Sequence, residues 1–193
     1  MLGLGSSLVS QSGAWEEIFS YDSDFTTSSL DGWEIFGETG EVTMTSNTDG
    51  FDGIDDWLKV EFDINQDGDP ASGSGFLQGV GIRLDSSAYN LTTKEGDVAY
   101  MSFKMHLSED WDGTDNVFSR YRVGIGNTGI HYITQDLTTN VPQTSYRTFN
   151  VTDDSTTPPE IYWANSGDLP QAGAIFHVKD IYIRIYRLFG IQS

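Results

Sequence analysis

Apolar and polar residues alternate along most of the chain, in short runs separated by Gly, Asn, Asp, Ser and Pro. A period of two puts every second side chain on the same side of an extended strand, so each run describes a strand with one packed face and one wet face. The runs at Phe19–Phe25, Trp33–Phe36, Glu41–Thr45, Trp57–Ile64, Phe76–Leu84, Val98–Leu107, Ser119–Gly126, Ile130–Thr134, Tyr146–Val151, Glu160–Ala164 and Ile175–Leu188 predict about ten strands. In Val98–Leu107 the inward set is Ala99, Met101, Phe103, Met105 and Leu107, and the outward set is Tyr100, Ser102, Lys104 and His106. In the last run Ile181, Ile183 and Ile185 mark the core face, while the Lys179-Asp180 step breaks the register and predicts a bulge. Helical periodicity is almost absent. An all-β fold follows: a two-sheet antiparallel β-sandwich of the jelly-roll kind. Residues 16–193 are expected to form one jelly-roll domain, residues 1–15 a flexible arm, and Asp49–Asp56 and Asn65–Gly75 loops.

Composition narrows the function. At 193 residues the chain can build one core without cross-links. It has no Cys, which excludes a disulfide scaffold, a thiolate metal site and a Cys nucleophile. Ten Lys+Arg stand against 29 Asp+Glu, a net charge of −19. Such a surface repels phosphate backbones and anionic headgroups, so neither nucleic acid nor membrane is an expected partner. The first 115 residues hold 23 acids and 4 bases, and the remainder hold 6 of each. The acidic part is either a solvated surface kept soluble by repulsion or a region that holds cations or meets a basic partner. Met1–Gly13 lacks the basic start and the unbroken apolar run of an export signal, and reads as a tail or an assembly arm carrying Leu2, Leu4, Leu8 and Val9. His106, His131 and His177 fall in separate strands without metal spacing, and no nucleophile-elbow, phosphate-loop or dinucleotide pattern occurs. The chain therefore reads as non-catalytic.

The order of the pieces resembles a known family. Asp24-Phe25, then Leu30-Asp31-Gly32-Trp33 and Gly37, is similar to the opening of carbohydrate-binding modules of families 4, 9 and 22. Lys94–Leu107, with its Gly turn and Tyr-x-x-Ser-Phe core, resembles one of their inner strands, and Phe176–Tyr186 their closing strand. The resemblance spans roughly residues 18–188 and implies a galactose-binding-like jelly roll. It also implies a structural calcium (Ca2+) near Asp180, with Asp22 or Asp24 beside it; otherwise Asp180 caps a turn or a bulge. Independently of the family, Asp63, Asn65 and Asp67 before Gly68 fit the first half of an Asp-x-Asn-x-Asp-Gly calcium loop, or else a polar turn leaving a strand.

Sugar binding needs exposed rings that stack on pyranose faces, and polar groups for the hydroxyls. The outward candidates are Tyr100, His106, Arg83, Arg120, Arg122 and Tyr132, with Trp57 and Trp111 at the rim beside acidic loops; Trp33 and Trp163 read as core. Arg83, Lys104, Arg120 and Arg122 either meet an acidic sugar or pair with the chain's own acids.

Two functions are consistent with these features. One is a virion structural protein, such as a phage capsid-decoration, tail or fibre component. It would assemble with other virion or surface proteins as a homo- or hetero-oligomer and contact glycans. The alternative is a stand-alone carbohydrate-binding module, extracellular or on a cell surface.

Overall fold

Strands form where the alternation places them, and their register shows which residues become neighbours. A computed structural model describes residues 13–27, 29–36, 42–49, 52–62, 80–107, 120–125, 131–134, 141–163 and 175–190. The strands are β1 (Ala14–Ser23), β2 (Trp33–Phe36), β3 (Val42–Asp49), β4 (Asp55–Phe62), β5 (Val80–Leu84), β6 (Val98–Leu107), β7 (Arg120–Gly124), β8 (His131–Thr134), β9 (Gln143–Asn150), β10 (Glu160–Trp163) and β11 (Ile175–Phe189). One short helical turn, α1 (Ser86–Tyr89), follows β5. None of the described helices is long and apolar enough to cross a membrane.

The strands make two antiparallel sheets, the expected sandwich. One sheet runs β3-β4-β11-β6-β9, with β1 also paired to β11; the other runs β2-β5-β10-β7-β8. The fifteen-residue β11 organises the larger sheet. Along one edge it pairs first with β4 and then with β1; along the other it pairs with β6. Phe176 and Val178 point into the core, as do Ile181, Ile183 and Ile185. Ile181 lies three positions after Val178, so simple alternation would turn the isoleucines outward. The predicted bulge resolves this: the register shifts between Lys179 and Tyr182, and Asp180 takes a left-handed φ of 50°.

The core between the sheets holds Leu58, Val60, Met101, Phe103, Met105, Phe176 and Ile183 from the larger sheet and Trp33, Ile82, Leu84 and Ile161 from the smaller. A polar link also ties them. The Trp33 indole N–H donates to the Tyr21 hydroxyl at 2.8 Å, and that hydroxyl donates to the Asp31 carbonyl at 2.7 Å. Burial pushes the Tyr21 phenol up from its ordinary value, so it remains a donor.

Some boundaries differ from expectation. Ala14 and Trp15 pair with Phe189 and Leu188, so β1 takes in residues assigned to the arm. The strand ends at Ser23 because the chain turns: Phe25 adopts φ 52° and buries its ring completely. β3 and β4 extend to Asp49 and back from Asp55, which shortens the acidic loop between them. Leu2, Leu4, Leu8 and Val9 lie outside the described residues.

Candidate functional site

The five-stranded sheet turns Trp33, Ile82, Leu84 and Ile161 into the core, which fixes the other face as its outer one. The pairing places Phe36 beside Gly81, Gly81 beside Tyr162, Tyr162 beside Arg122, and Arg122 beside Tyr132. These positions form one cross-strand row over all five strands, on the face opposite Ile161. Two of the predicted residues, Arg122 and Tyr132, are thus register partners; Arg120 pairs with Thr134 at the end of the same two strands. Gly81 puts no side chain into the row. Sequence reasoning missed Tyr162, because only the register brings it beside Arg122.

The neighbouring row is Glu34, Arg83, Glu160 and Gly124. Arg83 donates Nε to Glu34 Oε1 at 2.7 Å, so this predicted cation meets one of the chain's own acids. Glu160 leans over Gly124, where an added Cβ would come 3.2 Å from its Oε1. Burial raises the Glu160 carboxyl above its ordinary value, and Arg83 opposes that only in part. The face therefore offers the paired Arg83 and Glu34, the Glu160 carboxyl, and one arginine and three aromatic positions along a pleated sheet.

On the larger sheet Tyr100 faces outward as predicted and is 36% exposed. His106 requires a correction. It lies on the outward side of β6, yet only 5% of it is exposed. Its register partner is His177, and the two rings lie 5.7 Å apart. Burial lowers the affinity of His106 for a proton and brings His177 down to about 4, with His106 and Lys59 adding to the effect. Trp57 also requires a correction: it is 1% exposed and presents no stacking surface. Its indole N–H donates to Asp52 Oδ1 at 3.2 Å, and the Lys179 ammonium sits 4.4 Å from its ring centre. Lys179 in turn donates to Asp52 and Asp56 at 3.0 and 2.8 Å, so the acidic loop covers this part of the outer face. Trp33 is core, as expected. Trp111 lies outside the described residues, and of Trp163 only the backbone pairing with Val80 and Tyr121 is described.

The three carboxylates of the expected calcium site each have another partner. Asp180 meets the Lys104 ammonium at 2.7 Å, Asp22 receives Arg184 at 2.6 Å, and Asp24 caps the Thr26 amide and hydroxyl. Among the described residues no group of three or more His, Asp or Glu side chains is arranged to hold a metal. Asp180 itself sits in the bulge, with its left-handed φ. Asp63, Asn65 and Asp67 lie outside the described residues.

A scan against protein-family models finds none that matches, and a search of curated proteins finds no sequence match. Solved structures do match. The CBM22-1 xylan-binding domain of Paenibacillus barcinonensis Xyn10C superimposes with a TM-score of 0.52 at 14% identity, over 90% of this chain and 97% of that one. The fold is a jelly-roll sandwich like that of this carbohydrate-binding module. The CBM22-1-GH10 modules of Clostridium thermocellum xylanase 10B, complexed with xylohexaose, give 0.52 at 11% identity, over 86% of this chain and 28% of that one. A Stig cyclase, Fisc from Fischerella sp. TAU, gives 0.51 at 12% identity, over 89% and 98%. The same sandwich thus carries a sugar-binding domain in one protein and a cyclase in another, and the likeness extends to the fold alone.

Proposed function

We propose that this chain is a non-catalytic glycan-binding module whose contact surface is the outer face of the five-stranded sheet. The observation that carries this reading is the row Phe36, Gly81, Tyr162, Arg122 and Tyr132. It sets aromatic positions on both sides of an arginine, on strands held in register, with carboxyl groups of Glu34 and Glu160 one row away. Aromatic faces stack on pyranose C–H groups, while guanidinium and carboxyl groups hydrogen-bond the hydroxyls. The solved neighbours with a carbohydrate-binding-module fold support the reading by analogy.

Electrophoresis through native gels containing xylan, β-glucan or a uronic-acid polymer tests it. The full chain is expected to be retarded by at least one polymer, and Arg122→Ala with Tyr132→Ala to run as if the polymer were absent. Equal retardation of the wild type and this double variant in every gel overturns the reading.

A second reading, assembly into a virion or other surface particle, is favoured by one observation. Trp15 and Phe189 are 52% and 42% exposed at the end of the β1–β11 ribbon, next to the predicted arm. Sedimentation of the full chain and of a form lacking residues 1–12 tests it. An oligomer that becomes monomeric on deletion supports the reading, and a monomer in both contradicts it.

A further inference from the structure

The larger sheet also has an open outer face, and the register assembles a second aromatic row there. Asp22 pairs with Tyr182, Tyr182 with Ser102, and Ser102 with Tyr146. The next row reads Ser20, Arg184, Tyr100 and Thr148. Tyr182, Tyr100 and Tyr146 are 44%, 36% and 69% exposed, so three rings on three adjacent strands remain in water. Three strand spacings separate Asp22 from Tyr146, roughly 14 Å, room for a short run of pyranose units. Ser102 adds a hydroxyl between Tyr182 and Tyr146, and Thr148 one beside Tyr100 on the edge strand.

At the β1 end this row opens into a cleft of about 620 Å3, the size of a small-ligand pocket. Asp22 and Tyr182 belong to both row and cleft, and Asp24, Ser29, Asp31 and Tyr89 line the rest of it. The cleft is shaped by a tight turn. Gly32 has φ 83°, and an added Cβ would come 2.6 Å from the Tyr89 ring. The Asp31 carbonyl accepts from both the Tyr21 and Tyr89 hydroxyls.

Charge selects the ligand. Arg184 donates Nη2 to Asp22 at 2.6 Å and Nη1 to the Tyr21 and Ile183 carbonyls, and its Nε lies 3.7 Å from Glu17. Lys104 is held by Asp180. The described cations of this face are matched by its own acids, which gives an anionic ligand no specific counter-charge. The chain as a whole carries −19, so a second copy approaches against repulsion. The three exposed tyrosine rings and the hydroxyls beside them fit a neutral, hydroxyl-rich partner with apolar faces.

We infer that the outer face of the larger sheet, from the cleft through Tyr182 and Tyr100 to Tyr146, is a second binding track for a neutral pyranose chain. The inference rests on the glycan-binding reading above and extends it. With one track on each outer face of the sandwich, a single module holds two chains and bridges them, so that binding to a dense polysaccharide gains from avidity.

Calorimetric titration of the full chain with neutral β-1,4-linked hexasaccharides of glucose and of xylose is the test, run on two variants confirmed to be folded by circular dichroism. Tyr100→Ala/Tyr146→Ala/Tyr182→Ala removes the new track, and Arg122→Ala/Tyr132→Ala the first. The wild type is expected to bind two oligosaccharides per chain and each variant one. Restoring single tyrosines to the triple variant should recover about tenfold in affinity per ring. A wild-type stoichiometry of one that the tyrosine variant leaves unchanged overturns the inference but leaves the first reading intact. Loss of all binding in the tyrosine variant alone, with the arginine variant unaffected, overturns the first reading and keeps this track as the site. No binding of either hexasaccharide overturns the inference.

Discussion

Arg187 grips Asp97 with two parallel hydrogen bonds, Nε to Oδ1 and Nη2 to Oδ2, each 2.8 Å long. The Asp97 side chain is 1% exposed and also accepts the Lys94 amide, so the pair fastens the turn before β6 to the far end of β11. Burial alone would raise the Asp97 carboxyl; Arg187 and Lys94 together outweigh it and hold the carboxyl below its ordinary range. Removing Arg187 strands the buried Asp97 carboxylate. Arg187→Ala is expected to destabilise the fold by about 3 kcal/mol, read as a lower urea midpoint. An unchanged midpoint would show that the pair is replaceable by water.

Trp57 supports the fold and shows no exposed ring. Its ring is closed off by Lys179, and Lys179 is held by Asp52 and Asp56. Trp57→Ala is expected to lower stability by about 3 kcal/mol, while Trp57→Phe, which keeps most of the packing, should leave polysaccharide retardation as it is in the wild type. Loss of retardation in a folded Trp57→Phe protein would put Trp57 back at a binding rim.

His177 makes stability depend on pH. Its imidazole titrates at about 4 in the fold against 6.5 when free, chiefly because burial disfavours the charged form. His106 and Lys59 push the same way, and Asp49 and Glu61 oppose them. Between those two values the unfolded chain binds the extra proton, so stability falls as pH drops through this window. The full effect is about 3 kcal/mol. Unfolding free energies measured at pH 7 and pH 4.5 should differ more in the wild type than in His177→Leu. Equal differences would mean that the imidazole titrates normally.

Gly32 is needed for the cleft. Its left-handed φ and the closeness of Tyr89 leave no room for a side chain. Gly32→Ala is expected to cost about 2 kcal/mol and to displace Tyr89. Thermal unfolding measures the first effect and the near-ultraviolet circular dichroism of the tyrosines the second. A variant with the wild-type melting point and spectrum would contradict the turn geometry.

Much of the fold is legible in the sequence because alternation reports the strand directly. Val98–Leu107 has the predicted ends, and the three-residue step from Val178 to Ile181 betrays the bulge. The sites are less legible. Alternation tells which side of a sheet a residue takes, but not whether that side meets water. His106 is correctly placed on the outward side and is buried there all the same. Trp57 reads as a rim residue, yet Lys179, far along the chain, closes over it. The binding rows depend on register between distant strands. Nothing local to Tyr146 or Tyr182 shows that Ser102 sets them in line, and nothing local to Tyr162 shows that Arg122 lies beside it.

Amide chemical-shift mapping of the isotope-labelled full chain during titration with xylohexaose and cellohexaose tests the central claim most directly. At least one sugar is expected to shift amides clustered around Gly81, Arg122, Tyr132 and Tyr162, and to be recovered unchanged after prolonged incubation. Shifts that avoid this row with both sugars, or a new saccharide product in the sample, would contradict a non-catalytic binding face on the five-stranded sheet.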